Sequence, residues 1–348
     1  MKIKSTYIDR FLEGQEDGRY YFGYRQHGTV SGRYSSDAQQ LPKPKEDGED
    51  TPLIVYYNNL VRAFFIAGQG RKFIDCDYNS LEPTCFSSVS GDENLRDIFR
   101  NGWDFYSTIA IRTEKLNDRK DLYPNGVSPD KKADNYLKKL DTPRRNKAKA
   151  YSLGIPYGMQ AFALAKTLNI KQKEADALVE GYLNGFPQLR EWMTNSRKQV
   201  QEHGYIRNMV GRVRHLPVAK LVYERFGETL LDWKTKQELG RQFGEDFIEG
   251  LYRDYKNARN NCLNFQLQSL ASSVVNRAAM MINRRAKEMG IDAVVVAQIH
   301  DQLIINIEES RAKEFAPIVQ YIMENNLVLP GVDLKAPPEI GNNWCDAH

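Results

Sequence analysis

The sequence predicts an α+β fold, and three observations predict it. A short strand is expected at 72–77, and two runs rich in β-branched residues at 293–299 and 303–307 are close enough to pair as a hairpin. Helical patterning dominates from Arg145 to about Gln201. A further long helix is expected over roughly 257–289, stopping at Gly290. Strands are thus few, and long helical blocks separate them.

Taken in order, 19–36 is rich in Tyr, Thr and Val and broken by Gly, which reads as an extended pair of strands. The Pro, Gly and charge content of 42–52 marks a loop. Alternation along the strand at 72–77 puts Asp75 and Asp77 on one face. The chain then enters a helix near Ser80, with Pro83 in a first turn that has no intrahelical donor to lose. Few large apolar groups interrupt the Lys, Asp, Asn and Pro of 114–142, so this stretch reads as an exposed insertion. Gly185-Phe186-Pro187 breaks the helical patterning that follows, and 218–256 is a second charged, helix-prone block.

At 348 residues the chain can bury at least one large core and divide into two or three lobes. Apolar residues at 41% and charged residues at 27% are ordinary for a globular protein, and the net charge of +4 suits an anionic partner without demanding one. The N-terminus lacks the apolar segment of a signal peptide, and no run is long enough to cross a bilayer. Four cysteines without a CxxC pair or histidines at zinc spacing read as reduced, incidental thiols.

Chemistry enters with three segments. Arg145, Lys149, Leu153 and Tyr157 recur every four residues, so on one continuous helix they form a single stripe with two cations near the N-terminal end. A helix dipole favours anions there, and a triphosphate could lie along that face. Asp77 ends a strand, and His300-Asp301 occupies a hairpin tip. Each alone is a common turn or cap residue. On adjacent strands the two carboxylates could share a pair of divalent cations, which suits phosphoryl transfer.

The segments carry a family resemblance. Asp77-Tyr78-Asn79-Ser80-Leu81-Glu82 resembles motif A of the family A DNA polymerases, the bacterial DNA polymerase I type. Arg145-x3-Lys149-x3-Leu153-Gly154-x2-Tyr157-Gly158 resembles motif B on the fingers O helix, and Ile299-His300-Asp301-Gln302 resembles motif C. Supporting segments are similar too: Gly32-Arg33-Tyr34-Ser35-Ser36, Val61-Arg62-Ala63-Phe64, Phe186-Pro187-x2-Arg190-x-Trp192, Gly211-Arg212-x-Arg214-x-Leu216-Pro217 and Asn264-x3-Gln268. Order and spacing agree from about residue 19 to the end.

The resemblance implies a right-hand palm, an antiparallel sheet with helices, plus helical fingers. Residues 1–100 and 257–348 would form the palm and 101–256 the fingers, with the O helix at about 143–158. It implies a template-directed DNA polymerase, from a phage and acting in the host cytoplasm, that adds deoxynucleotides to a primer by two-metal chemistry. Asp77, Asp301 and the Tyr78 carbonyl would bind two Mg²⁺, with Mn²⁺ as a substitute. Arg145 and Lys149 would hold the triphosphate of a dNTP, and Lys149 would neutralise or protonate the leaving group. Glu82 would be the steric gate against a ribose 2′-OH, with Leu153, Tyr157 and Tyr106 also at the nucleotide. Arg33, Asn264, Gln268, His300 and Arg212 would contact primer-template DNA.

The chain departs from the family pattern at several positions. Leu153 stands where Phe or Tyr is usual, Gln302 where Glu follows the motif C aspartate, and Tyr106 where His is frequent near the phosphates. Pro156 falls inside the expected O helix, so a bend is expected there. Only 32 residues precede Arg33, too few for the thumb or the 3′–5′ exonuclease domain. The reading is therefore palm and fingers alone: either the chain is a piece of a longer protein, or, as preferred, the gene is split and a partner subunit supplies the remainder. The alternatives are an enzyme like the single-subunit RNA polymerases and a catalytically weak DNA-binding subunit.

Overall fold

A computed structural model of the chain describes residues 7–42 and 51–347. Most of the loop expected over 42–52 lies outside the described residues. The chain forms two compact units, one made of Met1–Leu81, Ala271–Val328 and Leu334–His348, the other of Glu82–Leu270 with Leu329–Asp333. The units divide at Leu81/Glu82 and Leu270/Ala271, whereas the lobes expected from the sequence divide near residues 100 and 256.

The first unit is built on a four-stranded antiparallel sheet in the order Pro338–Gly341, Arg71–Asp77, Gln302–Glu308, Ala293–Ile299. Its central strand alternates strictly. Ile74 and Cys76 are fully buried on the side covered by the Glu309–Asn325 helix. Phe73 and Ile304 face the other way, into a cluster with Val61, Ala297, Ile299 and Trp344. Burying each such aliphatic or aromatic side chain contributes roughly 1.5–3 kcal/mol. Sequence period and layer structure agree in this unit, which is why the strands were legible.

The extended pair expected over 19–36 is fragmentary. Arg19–Tyr20 pairs with Gln15–Glu16, and Tyr24–Arg25 pairs with Ser35–Ser36. Side chains hold this region more than ladders do. Phe11, Tyr20, Phe22, Phe65 and Trp344 form a run of aromatic contacts with ring centroids 4.9 to 6.3 Å apart.

The second unit is mainly helical. Its core joins Phe86, Leu95, Ile98, Ile109, Tyr151, Tyr182, Phe186 and Phe265, among others. The stretch 114–142 is not the exposed insertion its composition suggested. Leu116, Tyr123, Val127, Tyr136 and Leu137 are all buried, each at 8% exposure or less. Five apolar or aromatic side chains, widely spaced among polar ones, are enough to anchor an irregular segment. Pro187 opens the Pro187–His203 helix directly after Gln172–Gly185, so the expected break holds.

The long helix runs Glu245–Glu288, 44 residues, and so begins twelve residues earlier than 257. Gly244, at φ 100°, ends the Trp233–Phe243 helix, and Glu245 and Asp246 then sit in the new first turn, where the dipole favours carboxylates. At the other end Gly290 takes φ 63° and closes the helix as expected.

All four cysteines are free thiols. Cys76, Cys85 and Cys262 are buried and Cys345 is half-exposed. Burial pushes the Cys262 thiol up to about 12. Burial and the neighbouring Asp75 raise Cys76 still further. No described helix is long and apolar enough to cross a membrane.

Candidate active site

The first unit brings the backbone segments that carry the two expected carboxylates side by side. Asp77 is the last residue of the Arg71–Asp77 strand and lies opposite Gln302. One residue on, the Tyr78 amide donates to the Asp301 carbonyl at 3.3 Å. Both aspartates are half-buried at one end of the sheet. His300 and Asp301 form the two-residue connection between strands, with His300 exposed at φ 52°. The Tyr78 hydroxyl donates to Met323 O at 2.7 Å and accepts from Asn326 at 2.9 Å, so the backbone beside Asp77 is pinned from below.

Arg33 follows a glycine whose carbonyl accepts from Asn276 Nδ2 at 3.3 Å, and the Ser31 carbonyl accepts from Ser272 Oγ at 2.8 Å. The Arg33 segment is therefore tied to the Ala271–Glu288 part of the long helix. Sequence reasoning treated Arg62 only as part of a supporting segment. It is 2% exposed, lies 4.8 Å over the Trp344 ring, and feels the charges of Asp75 and Asp77. Burial lowers its pKa and those carboxylates oppose the shift.

The second unit holds the cationic helix, Thr142–Ser152, which Asp141 caps by accepting from the Arg144 amide. Arg145 and Lys149 lie one turn apart on it, as the spacing requires. Arg145 is engaged, however. Its Nε and Nη2 both donate to Asp104 at 2.7 Å, with the two side chains 12% and 8% exposed. Asp104 also caps the Phe105–Thr113 helix by accepting from the Ser107 amide. Burial alone would raise the Asp104 carboxyl, but bonds from Arg145 and Ser107 hold it below the usual carboxylate range. The Tyr106 ring faces both cations, at 5.2 Å from the Arg145 guanidinium and 5.6 Å from Lys149 Nζ. Lys149 itself is exposed. Asp104 was missed, although an aspartate three residues before a serine at a helix start is a legible cap signal.

The expected O helix of 143–158 needs correction. Its regular part stops at Ser152, and 153–158 is a series of turns leading to the Ala161–Leu168 helix. Pro156 has no amide hydrogen, and its ring conflicts with the Ser152 carbonyl one turn back. The Met159 amide instead reaches the Gly154 carbonyl at 2.8 Å. Gly158, at φ 90°, packs where a Cβ would come within 2.5 Å of Asn260 Oδ1. Leu153 and Tyr157 are therefore not on one helical stripe with Arg145 and Lys149. Leu153 is half-buried against the core, and the Tyr157 hydroxyl donates to the Glu82 carboxylate.

Asn264 and Gln268 lie one turn apart on the long helix, both half-buried. Arg212 is exposed in the loop between Tyr205–Arg207 and Val213–His215. Asn208 makes that loop rigid. Its Oδ1 accepts from Val210 and Arg212 amides, and its Nδ2 donates to Ser269 Oγ at 2.7 Å.

Among the described residues no group of three or more His, Cys, Asp or Glu is arranged to hold a metal. Mg²⁺ asks for less. It keeps several waters and is commonly bound by one or two carboxylates plus substrate phosphates. Two half-buried carboxylates on adjoining backbone segments, beside the pinned Tyr78 backbone, fit such an ion.

A sequence model of DNA polymerase family A matches residues 1–346. The chain belongs to that family. This family A chain is 26% identical to DNA polymerase I of Pseudomonas aeruginosa over 100% of its own length and 32% of the relative's. It is 27% identical to the thermostable DNA polymerase I of Thermus filiformis, over 99% of its length and 35% of the relative's. The chain thus spans about a third of the length of these relatives. Among solved structures it resembles the polymerase domain of Pol1 from M. smegmatis in complex with DNA primer-template and dNTP. The TM-score is 0.77 at 23% identity, covering 99% of this chain and 52% of the other. That likeness establishes the α+β fold of the polymerase domain.

Proposed function

We propose that this chain is a template-directed DNA polymerase that transfers a deoxynucleotidyl group from a dNTP to a primer 3′ end. The observation that carries the reading is the pairing of the Asp77 strand end with the hairpin tip at Asp301, in a chain of family A. Asp77, Asp301 and the Tyr78 carbonyl are the groups that would hold divalent cations. Such cations, when bound, lower the pKa of the primer hydroxyl and neutralise the triphosphate.

The chain's own groups supply the remaining functions. Exposed Lys149 offers the mobile positive charge for the triphosphate and the departing pyrophosphate. Arg145 offers a fixed one, oriented by Asp104. The Tyr157 bond holds the Glu82 carboxylate in place as the steric gate. Arg33, Asn264 and Gln268 would read minor-groove acceptors, which test base-pair shape with little sequence content. His300 would touch the primer, and Arg212 a template phosphate, weakening with salt.

Primer extension with Mg²⁺, with dNTPs and rNTPs offered separately, tests the reading. Extension on dNTPs that EDTA stops and Mg²⁺ restores supports it. Preferential use of rNTPs would move the chain to the RNA polymerase class. Glu82→Ala is expected to raise the relative kcat/KM for rNTPs by about 10²-fold, because the 2′-OH then meets open space. Leu153→Tyr is expected to increase dideoxynucleotide incorporation, since a ring packs against the incoming sugar where an aliphatic group does not. Gel-based competition between ddNTP and dNTP measures it, and equal discrimination by both enzymes would remove Leu153 from the site.

A further inference from the structure

Beside the carboxylate pair the first unit contains a second, buried polar cluster to which no role has been given. Asp75 lies two residues before Asp77 on the same face of the strand and is 3% exposed. Its Oδ2 accepts from Gln302 Nε2 at 2.5 Å. Gln302 is 4% exposed and directly follows Asp301 in the chain. Arg62, buried beside Trp344, donates Nε to the Pro42 carbonyl at 2.9 Å, and its charge acts on Asp75.

The position of this cluster gives it leverage. The connection between the hairpin strands is only two residues long, and His300 holds a left-handed φ of 52°. Outside glycine that conformation is uncommon and carries a strain cost that contacts at the tip offset. Gln302 closes the connection opposite Ile299, and its side chain is tied across the sheet to Asp75. A one-residue slip at the tip would break this bond and turn Asp301 to the other face. A buried carboxylate is costly unless compensated, and the Gln302 amide supplies one donor to it.

We propose that Asp75 is a positioning residue: through Gln302 it braces the His300–Asp301 tip and so sets the geometry in which Asp301 meets a divalent cation. The inference rests on the reading of Asp77 and Asp301 as the cation-binding carboxylates.

Mn²⁺ binding to the full chain with primer-template, followed by electron paramagnetic resonance, tests it without reference to turnover. Gln302→Leu removes the donor and is expected to weaken Mn²⁺ binding by roughly 10-fold or more, the usual cost of losing a support behind a ligand. The exchange Asp75→Asn with Gln302→Glu keeps an amide–carboxylate bond and the same net charge. It is expected to bring affinity back to within about threefold of wild type. Wild-type affinity in a folded Gln302→Leu variant would overturn the proposal. So would an exchange variant that binds as weakly as Asp301→Ala, and this second arm decides if Gln302→Leu fails to fold. A wild-type chain whose Mn²⁺ binding is untouched by Asp301→Ala instead removes the underlying reading, and the brace with it.

Discussion

Asp301→Ala is expected to lower primer extension by at least about 10³-fold, roughly 4 kcal/mol of barrier, while leaving the fold intact. The separation is possible because the two contributions of this residue come from different atoms. Its carbonyl accepts from the Tyr78 amide and joins the hairpin tip to the neighbouring strand, and alanine keeps that bond. Its carboxylate is half-buried at the end of the sheet, and truncating it leaves no large cavity. The loss of activity should therefore exceed any loss of stability, which stays within the roughly 0.5–3 kcal/mol usual for a single substitution. Single-turnover incorporation alongside calorimetry checks both halves. A variant that still extends at a tenth of the wild-type rate would put the chemistry elsewhere in the chain.

Arg145→Ala is expected to cost the second unit about 3 kcal/mol of stability, besides any effect on nucleotide binding. The substitution strands Asp104 as a buried carboxylate between two helix starts, one of which it caps. For a unit of this size each kcal/mol lowers the melting temperature by about 2–4 °C. The sign of the pH dependence follows from the depressed Asp104 carboxyl. Its folded-state pKa lies below the unfolded value of about 3.9, so its contribution is complete above that value and is lost as acid carries the pH down through the folded pKa. Asp104→Asn should flatten that acid limb. A melting temperature in Arg145→Ala equal to wild type at neutral pH would show the pair to be energetically idle.

The sequence made the carboxylate strand and the hairpin legible because short apolar stretches, the β-branched runs of the hairpin and a two-residue turn all speak locally. Asp77 and Asp301 could be paired for the same reason, since each ends an element whose neighbour was already visible. The cationic helix was half legible. Spacing by four predicted a stripe through Tyr157, but Pro156 and Gly154 carried the opposing signal, and backbone sterics won over periodicity. Asp104 and Arg145 are 41 residues apart, and nothing in either neighbourhood announces the pairing. Asp75 and Gln302, 227 residues apart, meet only because strand register brings them together. The packing of 114–142 was hidden by composition, because a few large side chains decide burial while many small polar ones decide the average.

The unequal shielding of the four sulfhydryls has a practical consequence. Three are sealed inside the fold, whereas the one at Cys345 opens partly to solvent, next to the indole on which Arg62 rests. A maleimide fluorophore would therefore attach at a single natural position, without engineering out competitors, and report on the layer behind the carboxylate strand. Burial and Asp346 raise that thiol's pKa, so conjugation gains speed in mildly alkaline buffer.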